Sequence, residues 1–370
     1  MNPLDFARPD IRALQPYSSA RMEASGGTTL LNANESPWPP YGNEVGWNRY
    51  PDPQPPDLLR RLAQAYGIEP EQLLVGRGSD EGIDLLVRAF CAAGRDAILI
   101  SPPTFGMYAT CAHVQGTGVV EVPLDGGFAL DVDAVLAAMA PAVKLVFVCS
   151  PNNPSGAGVP RADILRLAGA LRGRALLVVD EAYVEFTDPQ GPCGSVADCL
   201  RGYENLVVLR TLSKAWAMAG VRIGSVLADA RLIALLRKIM PPYPLPSPCT
   251  EVALRALSGE GKRTMRGRVA VICGERARMR DELARLACVR GVLPSQANFL
   301  AVRFVDAGAA YAALLEAGVV VRDVRRYPGL GDSLRISIGS PAENERVLDV
   351  LRCMPNAAAR AAGLRAGLPA

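Results

Sequence analysis

The sequence predicts an α/β protein in which a large, mainly parallel sheet is followed by a smaller α+β unit. Short apolar runs alternate with amphipathic stretches over about residues 71–240, and this alternation is typical of a parallel sheet covered by helices on both faces. Five of the eight residues 241–248 are prolines, which cannot continue the preceding helix. Further helix and strand patterns follow, so we place a domain boundary in this proline-rich segment.

In the first unit, apolar runs predict strands and amphipathic spacing predicts helices. The strands are expected at 97–100, 119–122, 144–148, 175–179, 206–209 and 223–227. The helices are expected at 82–92, 162–171 and 230–240. Ligands of such sheets bind beyond the carboxyl ends of the strands, so polar residues that follow a strand are candidates for a functional site.

Beyond the proline-rich segment, which is expected to run extended, the patterns predict a smaller unit. Its helices are expected near 250–257, 261–288 and 307–317, and its strands at 299–304, 319–323 and 334–338. The sequence therefore divides into an N-terminal arm (1–44), a large domain (45–245), a small domain (246–355) and a flexible tail (356–370).

Composition excludes several classes of function. The 40 basic and 37 acidic residues give a net charge of only +3, which provides no broad surface for nucleic acid or anionic membranes. The sole histidine, His113, excludes metal sites with two or more histidine ligands in one subunit, and we interpret it as structural. The nine cysteines form no CxxC pair, which argues against a zinc knuckle and a disulfide framework. The sequence has neither a signal sequence nor an apolar run of ~18 residues, so we expect a cytoplasmic protein. We also expect small-molecule partners and no metal.

Polar residues follow two of the predicted strands and together indicate pyridoxal phosphate. Asp180 and Tyr183 come just after one buried strand, and Lys214, one of only four lysines, comes after the next. A lysine can form a Schiff base with this cofactor, and a buried carboxylate can keep its pyridine nitrogen protonated, which makes the ring an electron sink. A tyrosine hydroxyl can bind the phenolic oxygen of the ring. Taken alone, Asp180 could equally be a loop acid, and Lys214 a solvated lysine near a helix start.

A phosphate group requires backbone N–H donors and positive charge. The segment GRGSDEG at 76–82 is a glycine turn that opens into a helix, although most such turns merely begin helices. Ser213 and Arg222 add a hydroxyl and a guanidinium that can bind the same anion. Asn153 in SPNNPSG also follows a strand, where its amide would project into the crevice, but this segment could also be a plain turn.

The segments SPNNPSG, VVDEAYVEF and TLSKAWAMAGVRIG, in this order, resemble the signature of the fold-type-I aminotransferases. The segments LNANESPWPP, NRYPDPQ, VGRGSDEGIDLLVRAF, PPTFGMY, PPYPLPSP, ANFL, VVVRDV and LRISIGS narrow this to the histidinol-phosphate aminotransferase family, over about Pro16 to Leu351. The resemblance implies the type I fold of pyridoxal-phosphate-dependent transferases. In that fold, a large domain with a mainly parallel seven-stranded sheet is joined to a small domain made from both chain ends. It also implies a homodimer with the active site at the subunit interface.

For the cofactor, the resemblance implies a Schiff base at Lys214, a pyridinium partner in Asp180, and contacts to the ring oxygen from Asn153 and Tyr183. Phe105 matches the aromatic residue that stacks on the ring; many relatives have tyrosine there, and stacking should survive the loss of a hydroxyl. The implied phosphate-binding residues are Ser79, Asp80 and Glu81 at the start of a helix, Ser213, Arg222, and Tyr50 reaching across from the other subunit.

For the substrate, the resemblance implies that Arg335 binds an anionic group, with Arg322, Tyr17 and Asn34 nearby. The implied reaction belongs to histidine biosynthesis: L-histidinol phosphate and 2-oxoglutarate give imidazole-acetol phosphate and L-glutamate. The freed amine of Lys214 would move the proton from substrate Cα to the cofactor. Tyr17 in QPYSSAR favours a phosphorylated substrate.

Three alternatives stay open from the sequence. A threonine-phosphate decarboxylase uses a similar phosphorylated amine on the same scaffold. An aromatic or broad-specificity aminotransferase is also compatible, because a pair of arginines does not distinguish phosphate from carboxylate. A regulator that uses this fold to bind an effector is disfavoured, because the N-terminal arm is too short for a DNA-binding domain.

Overall fold

Seven strands form the large sheet of the protein. The computed structural model describes residues 2–18, 29–40 and 46–354 of the chain. The strands are β1 Leu73–Gly76, β2 Ala97–Ile100, β3 Gly118–Glu121, β4 Val143–Cys149, β5 Leu176–Asp180, β6 Leu206–Thr211 and β7 Gly224–Leu227. Their spatial order is β1-β7-β6-β5-β4-β2-β3. Strand β7 is antiparallel to both of its neighbours, and the other pairs are parallel, so six strands end at the same edge.

Helices cover both faces of this sheet. Strand β5 is fully buried, and its alternate residues face two separate cores: Leu177 and Val179 enter one, Leu176 and Val178 the other. This double burial explains the continuous apolar runs in the sequence. The helices described before residue 240 are α1 Pro9–Ala13, α2 Pro56–Tyr66, α3 Ser79–Phe90, α4 Met107–Gln115, α5 Val132–Ala137, α6 Arg161–Ala170 and α7 Ala230–Ile239.

A second, antiparallel sheet lies in the C-terminal part of the chain. Its strands are β8 Val289–Val292, β9 Phe299–Phe304, β10 Arg322–Asp323 and β11 Ser333–Ser337, in the spatial order β10-β11-β9-β8. The helices of this part are α8 Ser247–Ala256, α9 Gly259–Ala284, α10 Ala307–Glu316 and α11 Pro341–Arg352. Residues of α9, α10 and α11 form a third core with the strands, which gives the predicted α+β unit.

The six predicted strands of the large sheet are all present, with ends within two residues of the prediction. Strands β1 and β8 and helices α1, α2, α5 and α11 were not predicted. The predicted strand 319–323 is wrong except for its last two residues, and the helix predicted to end at 288 ends at Ala284.

The proline-rich segment also departs from the prediction. It ends α7 as expected, but Ser247 and Pro248 already belong to α8, because proline fits the first turn of a helix, where its missing N–H is not needed. His113 lies exposed on α4. The exact domain limits stay a prediction. No described helix is long and apolar enough to cross a membrane.

Candidate active site

A cavity of about 460 Å³ opens at the edge where the parallel strands end. Cys149, Asp180 and Thr211 are the last residues of β4, β5 and β6, and all three line it. Ser213 and Lys214 lie shortly after the end of β6 and line the cavity as well. The cavity thus lies where ligands bind in open α/β sheets.

Eleven of the fifteen predicted site residues line this cavity. They come from segments that are far apart in sequence, on both sheets: Ser79, Asp80, Phe105, Asn153, Asp180, Tyr183, Ser213, Lys214, Arg222, Arg322 and Arg335. The structure therefore brings together the lysine, the carboxylate and the arginines that the sequence analysis selected. Four predicted residues, Tyr17, Asn34, Tyr50 and Glu81, are not part of its lining.

Asp180 provides a buried carboxylate at the floor of the cavity. Its side chain is held by two donors: the Tyr108 hydroxyl donates to Oδ2 at 2.8 Å, and the Ala182 N–H donates to Oδ1 at 3.1 Å. Burial raises the pKa of Asp180 to about 6, and the two donors oppose that rise. A buried carboxylate of this kind is stabilised by a cationic partner, so it fits a protonated ring nitrogen.

Lys214 provides an amine in the same cavity. Its Nζ lies 5.6 Å from the centre of the Tyr183 ring and makes no ion pair with any described residue. Burial lowers the pKa of Lys214, and the positive charges of Arg335 and Arg222 lower it further. A larger fraction of the side chain is then the neutral amine, which is the form that attacks a carbonyl.

One end of the cavity is built to bind an anion. Gly78 has a φ of +87°, and a Cβ there would lie 2.7 Å from Nη2 of Arg222, so this turn requires glycine. Immediately after it, Ser79 and Asp80 begin the 12-residue helix α3, whose N-terminal amides favour negative charge. Arg222 itself adopts a left-handed conformation, which costs roughly 1–2 kcal/mol for a residue with a side chain. Its Nη2 lies 3.2 Å from Oδ2 of Asp80.

The opposite wall carries two arginines from the small sheet. Arg322 on β10 and Arg335 on β11 are directly paired in the antiparallel register. Like charges in such a pair repel each other, and an anion between them removes the repulsion. Arg335 donates through Nη1 to Oδ1 of Asn153, while its buried Nε has no partner in the described structure. This unused donor fits an anionic substrate group.

Several residues in or behind the lining were not predicted from the sequence. Tyr108 does not line the cavity but supports Asp180 from behind; its motif PPTFGMY was noted only for Phe105. The others, which do line it, include Arg326 and Tyr327, which follow the noted segment VVVRDV, and Cys149 and Thr211. Burial raises the pKa of Cys149, so its thiol is not a nucleophile at neutral pH.

The four predicted residues outside the lining have other surroundings. The Glu81 carboxylate accepts hydrogen bonds from Arg77. Glu81 therefore offers an anion only its backbone N–H, in the first turn of α3. The Tyr50 ring stacks on Tyr243, with 4.4 Å between centroids, and lines a second cavity together with Asn34. Tyr17 is 71% exposed. A reach of Tyr50 into the cavity of a second subunit stays a prediction, as do the substrate contacts of Tyr17 and Asn34.

The residues present fit pyridoxal phosphate. The amine of Lys214 can bind its aldehyde, and the carboxylate of Asp180 can face its ring nitrogen. The Phe105 ring provides an apolar face, and the turn before α3 with Arg222 can hold its phosphate. The buried donor of Arg335 then remains for the substrate.

Comparison with known proteins agrees with this geometry. Residues 31–351 match the family described as aminotransferase class I and II. The chain is 53% identical to the histidinol-phosphate aminotransferase of Xanthomonas euvesicatoria pv. vesicatoria over 354 residues, 94% of this chain and 96% of that protein. The enzyme of the same name from Xylella fastidiosa is also 53% identical, with the same coverage. Among solved structures, the histidinol-phosphate aminotransferase from Sinorhizobium meliloti in complex with pyridoxal-5'-phosphate superposes with a TM-score of 0.74 at 27% identity, covering 82% of each chain. The chain therefore belongs to the class I and II aminotransferase family, which confirms the type I fold, the enzyme class and the pyridoxal phosphate dependence predicted from its sequence.

Proposed function

We propose that this protein transfers the amino group of L-histidinol phosphate to 2-oxoglutarate, giving imidazole-acetol phosphate and L-glutamate. The observation that carries the proposal is one cavity in which Lys214 and Asp180, from the large sheet, face Arg322 and Arg335, from the small sheet. The relatives that are 53% identical over 94% of the chain bear the name of this activity, which supports the choice of substrate.

Pyridoxal phosphate, when bound, supplies a ring that accepts electrons from the carbon atom that loses a proton. The residues of this chain provide the rest. Lys214 would hold the cofactor through Nζ, and the same Nζ would move the proton of the substrate Cα. Asp180 would hold a proton at the ring nitrogen. Asn153 and Tyr183 would bind the ring oxygen, and Phe105 would pack against the ring.

The cations of the cavity have separate roles in this proposal. Arg222 and the N-terminal amides of α3 bind the cofactor phosphate. Arg335 and Arg322 bind the phosphate of the donor in one half of the reaction and a carboxylate of 2-oxoglutarate in the other. The planar guanidinium group suits both anions, because it can donate two parallel hydrogen bonds to either.

We further propose a homodimer that shares its active sites and acts in the cytoplasm. The described N-terminal segments expose large apolar side chains that a second subunit could cover: Tyr17, Leu31, Trp38, Trp47 and Tyr50. Tyr50 lies outside the cavity of its own chain, and although its ring stacks on Tyr243, its side chain is 49% exposed and accessible to a second subunit. Sedimentation of the purified protein tests the dimer. Substitution of Tyr50 tests the shared site, because it should weaken cofactor binding if Tyr50 reaches the partner's cavity.

Purified protein loaded with the cofactor tests the reaction directly. Addition of histidinol phosphate should convert the absorption of the lysine-bound cofactor to that of the amine form, and 2-oxoglutarate should restore it with formation of glutamate. Histidinol without the phosphate should react much more weakly, because Arg335 and Arg322 would lack their anion. Carbon dioxide release from threonine phosphate, or faster conversion by tyrosine or phenylalanine than by histidinol phosphate, would overturn the substrate assignment.

A further inference from the structure

Tyr108 lies behind the cavity in full burial, near the start of α4. Its ring stacks on Phe147 of β4, with 4.7 Å between centroids and an angle of 15° between planes. This stacking directs the hydroxyl to Asp180, where it donates to Oδ2 at 2.8 Å. Among the described residues, Tyr108 is the only one whose side chain donates to Asp180; the other donor is the backbone N–H of Ala182.

The same tyrosine contacts the predicted ring-stacking residue. The Phe105 and Tyr108 rings meet edge to face, with 5.7 Å between centroids and an angle of 85°. Phe105 is expected on the face of the cofactor ring and Asp180 at its nitrogen. One buried side chain therefore supports both residues that fix the position of the ring.

The hydroxyl of Tyr108 is suited to donate its hydrogen bond at every working pH. Burial and the nearby charge of Asp180 raise the pKa of Tyr108 well above its ordinary value, so its proton stays in place over the working pH range. Burial also raises the pKa of the Asp180 carboxyl, and the hydrogen bond from Tyr108 is the largest influence in the opposite direction. Removal of the hydroxyl would leave a buried carboxylate with one donor fewer, which disfavours its ionised form.

We propose that Tyr108 is a positioning residue whose hydroxyl keeps Asp180 ionised and directed to the ring nitrogen of the cofactor. Tyr108 does not touch the reacting atoms, and its hydroxyl acts through Asp180. The proposal rests on the role of Asp180 as partner of the ring nitrogen. It is independent of which amine the enzyme uses.

The test is the affinity of the cofactor-free protein for two ligands: pyridoxal phosphate, and its analogue in which a CH group replaces the ring nitrogen. Tyr108→Phe removes only the hydroxyl and keeps the stacking on Phe147. We expect this variant to bind pyridoxal phosphate about tenfold more weakly, as for the loss of a hydrogen bond to a charged group, and to bind the analogue within about twofold of the wild type.

Tyr66→Phe is the matched control, because it removes another buried tyrosine hydroxyl of the large domain that does not contact Asp180. It should leave both affinities unchanged. A second measurement places Tyr108→Phe in an Asp180→Asn background, where its effect on pyridoxal phosphate binding should disappear.

Equal weakening of both ligands by Tyr108→Phe would show that the tyrosine only packs, and unchanged binding of pyridoxal phosphate would also overturn the proposal. Neither result depends on turnover of histidinol phosphate. A wild type that binds the cofactor but does not react with that amine would contradict the proposed function and leave this inference standing.

Discussion

Asp180 and Glu181 are adjacent buried carboxylates, but only Glu181 is paired with a cationic side chain of the described chain. Asp180 lines the cavity and has no cationic side chain within ion-pair distance among the described residues. Glu181 is equally buried but lies away from the cavity, where it pairs with Arg210 at 3.2 Å and accepts hydrogen bonds from Ser195 and the Val196 N–H. Asp180 is therefore available to bind a ligand, whereas Glu181 stabilises the fold.

Asp180→Asn should stabilise the cofactor-free protein at neutral pH. Because the pKa of Asp180 rises from 3.8 to about 6 on folding, the folded state binds the extra proton between these values, and stability falls as pH rises through this window. At 1.36 kcal/mol per pKa unit the loss is roughly 3 kcal/mol. The variant should thus match the wild type near pH 4 and exceed it above pH 6, in urea unfolding at a series of pH values. A stability difference that does not vary with pH would contradict this.

Glu181→Gln should destabilise the protein without removing the cofactor. It leaves Arg210 buried beside one remaining carboxylate, Glu185, and breaking a buried pair costs roughly 3 kcal/mol or more. Chemical unfolding measures the loss, and the absorption of the bound cofactor should stay unchanged. Glu69→Gln, which breaks the exposed pair with Arg201, is the control and should have little effect.

Lys214→Ala should give a folded protein that lacks the visible absorption of a lysine-bound cofactor, since no other amine lines the cavity as described. Activity should fall by several orders of magnitude. Lys238→Ala is the control, because the Nζ of this half-buried lysine donates to the backbone of Arg12, outside the cavity. Its spectrum should equal that of the wild type. A normal cofactor spectrum in Lys214→Ala would contradict the assignment of Lys214 as the lysine that binds the cofactor.

Arg335→Gln should lower kcat/KM for both the amine donor and 2-oxoglutarate, because both present an anion to the same guanidinium. The loss of a charged hydrogen bond corresponds to roughly 10- to 100-fold. Steady-state kinetics with each substrate varied in turn measure it. Arg325→Gln is the matched control: this arginine is exposed and bound to Asp323, so both values should stay near those of the wild type. An effect on one substrate only would mean that the two anions bind at different places.

Much of this architecture could be predicted from the sequence because its signals are local. Strands buried on both faces appear as continuous apolar runs; Asp180 is the last residue of one, β5, and Lys214 lies shortly after the end of the next, β6. The two strands that were missed are β1, whose four residues are fully buried, and β8, whose residues are only partly buried.

The contacts that complete the site could not be predicted in the same way. Tyr108 meets Asp180 across 72 residues of chain, and Arg335 meets Asn153 across 182. Nothing in the local pattern of PPTFGMY distinguishes the tyrosine that packs in the core from one that supports a carboxylate. Such pairings depend on the order of strands in the sheet, which only the folded structure supplies.

The gathering of the cavity residues at one edge of the large sheet has a consequence for engineering. Loops at the opposite edge, such as residues 172–174 before β5, contribute nothing to the described lining of the cavity. New chain termini or an inserted reporter domain placed there would leave every loop that carries the chemistry continuous. The fold thus separates the part of the chain that can be cut and rejoined from the part that must stay intact.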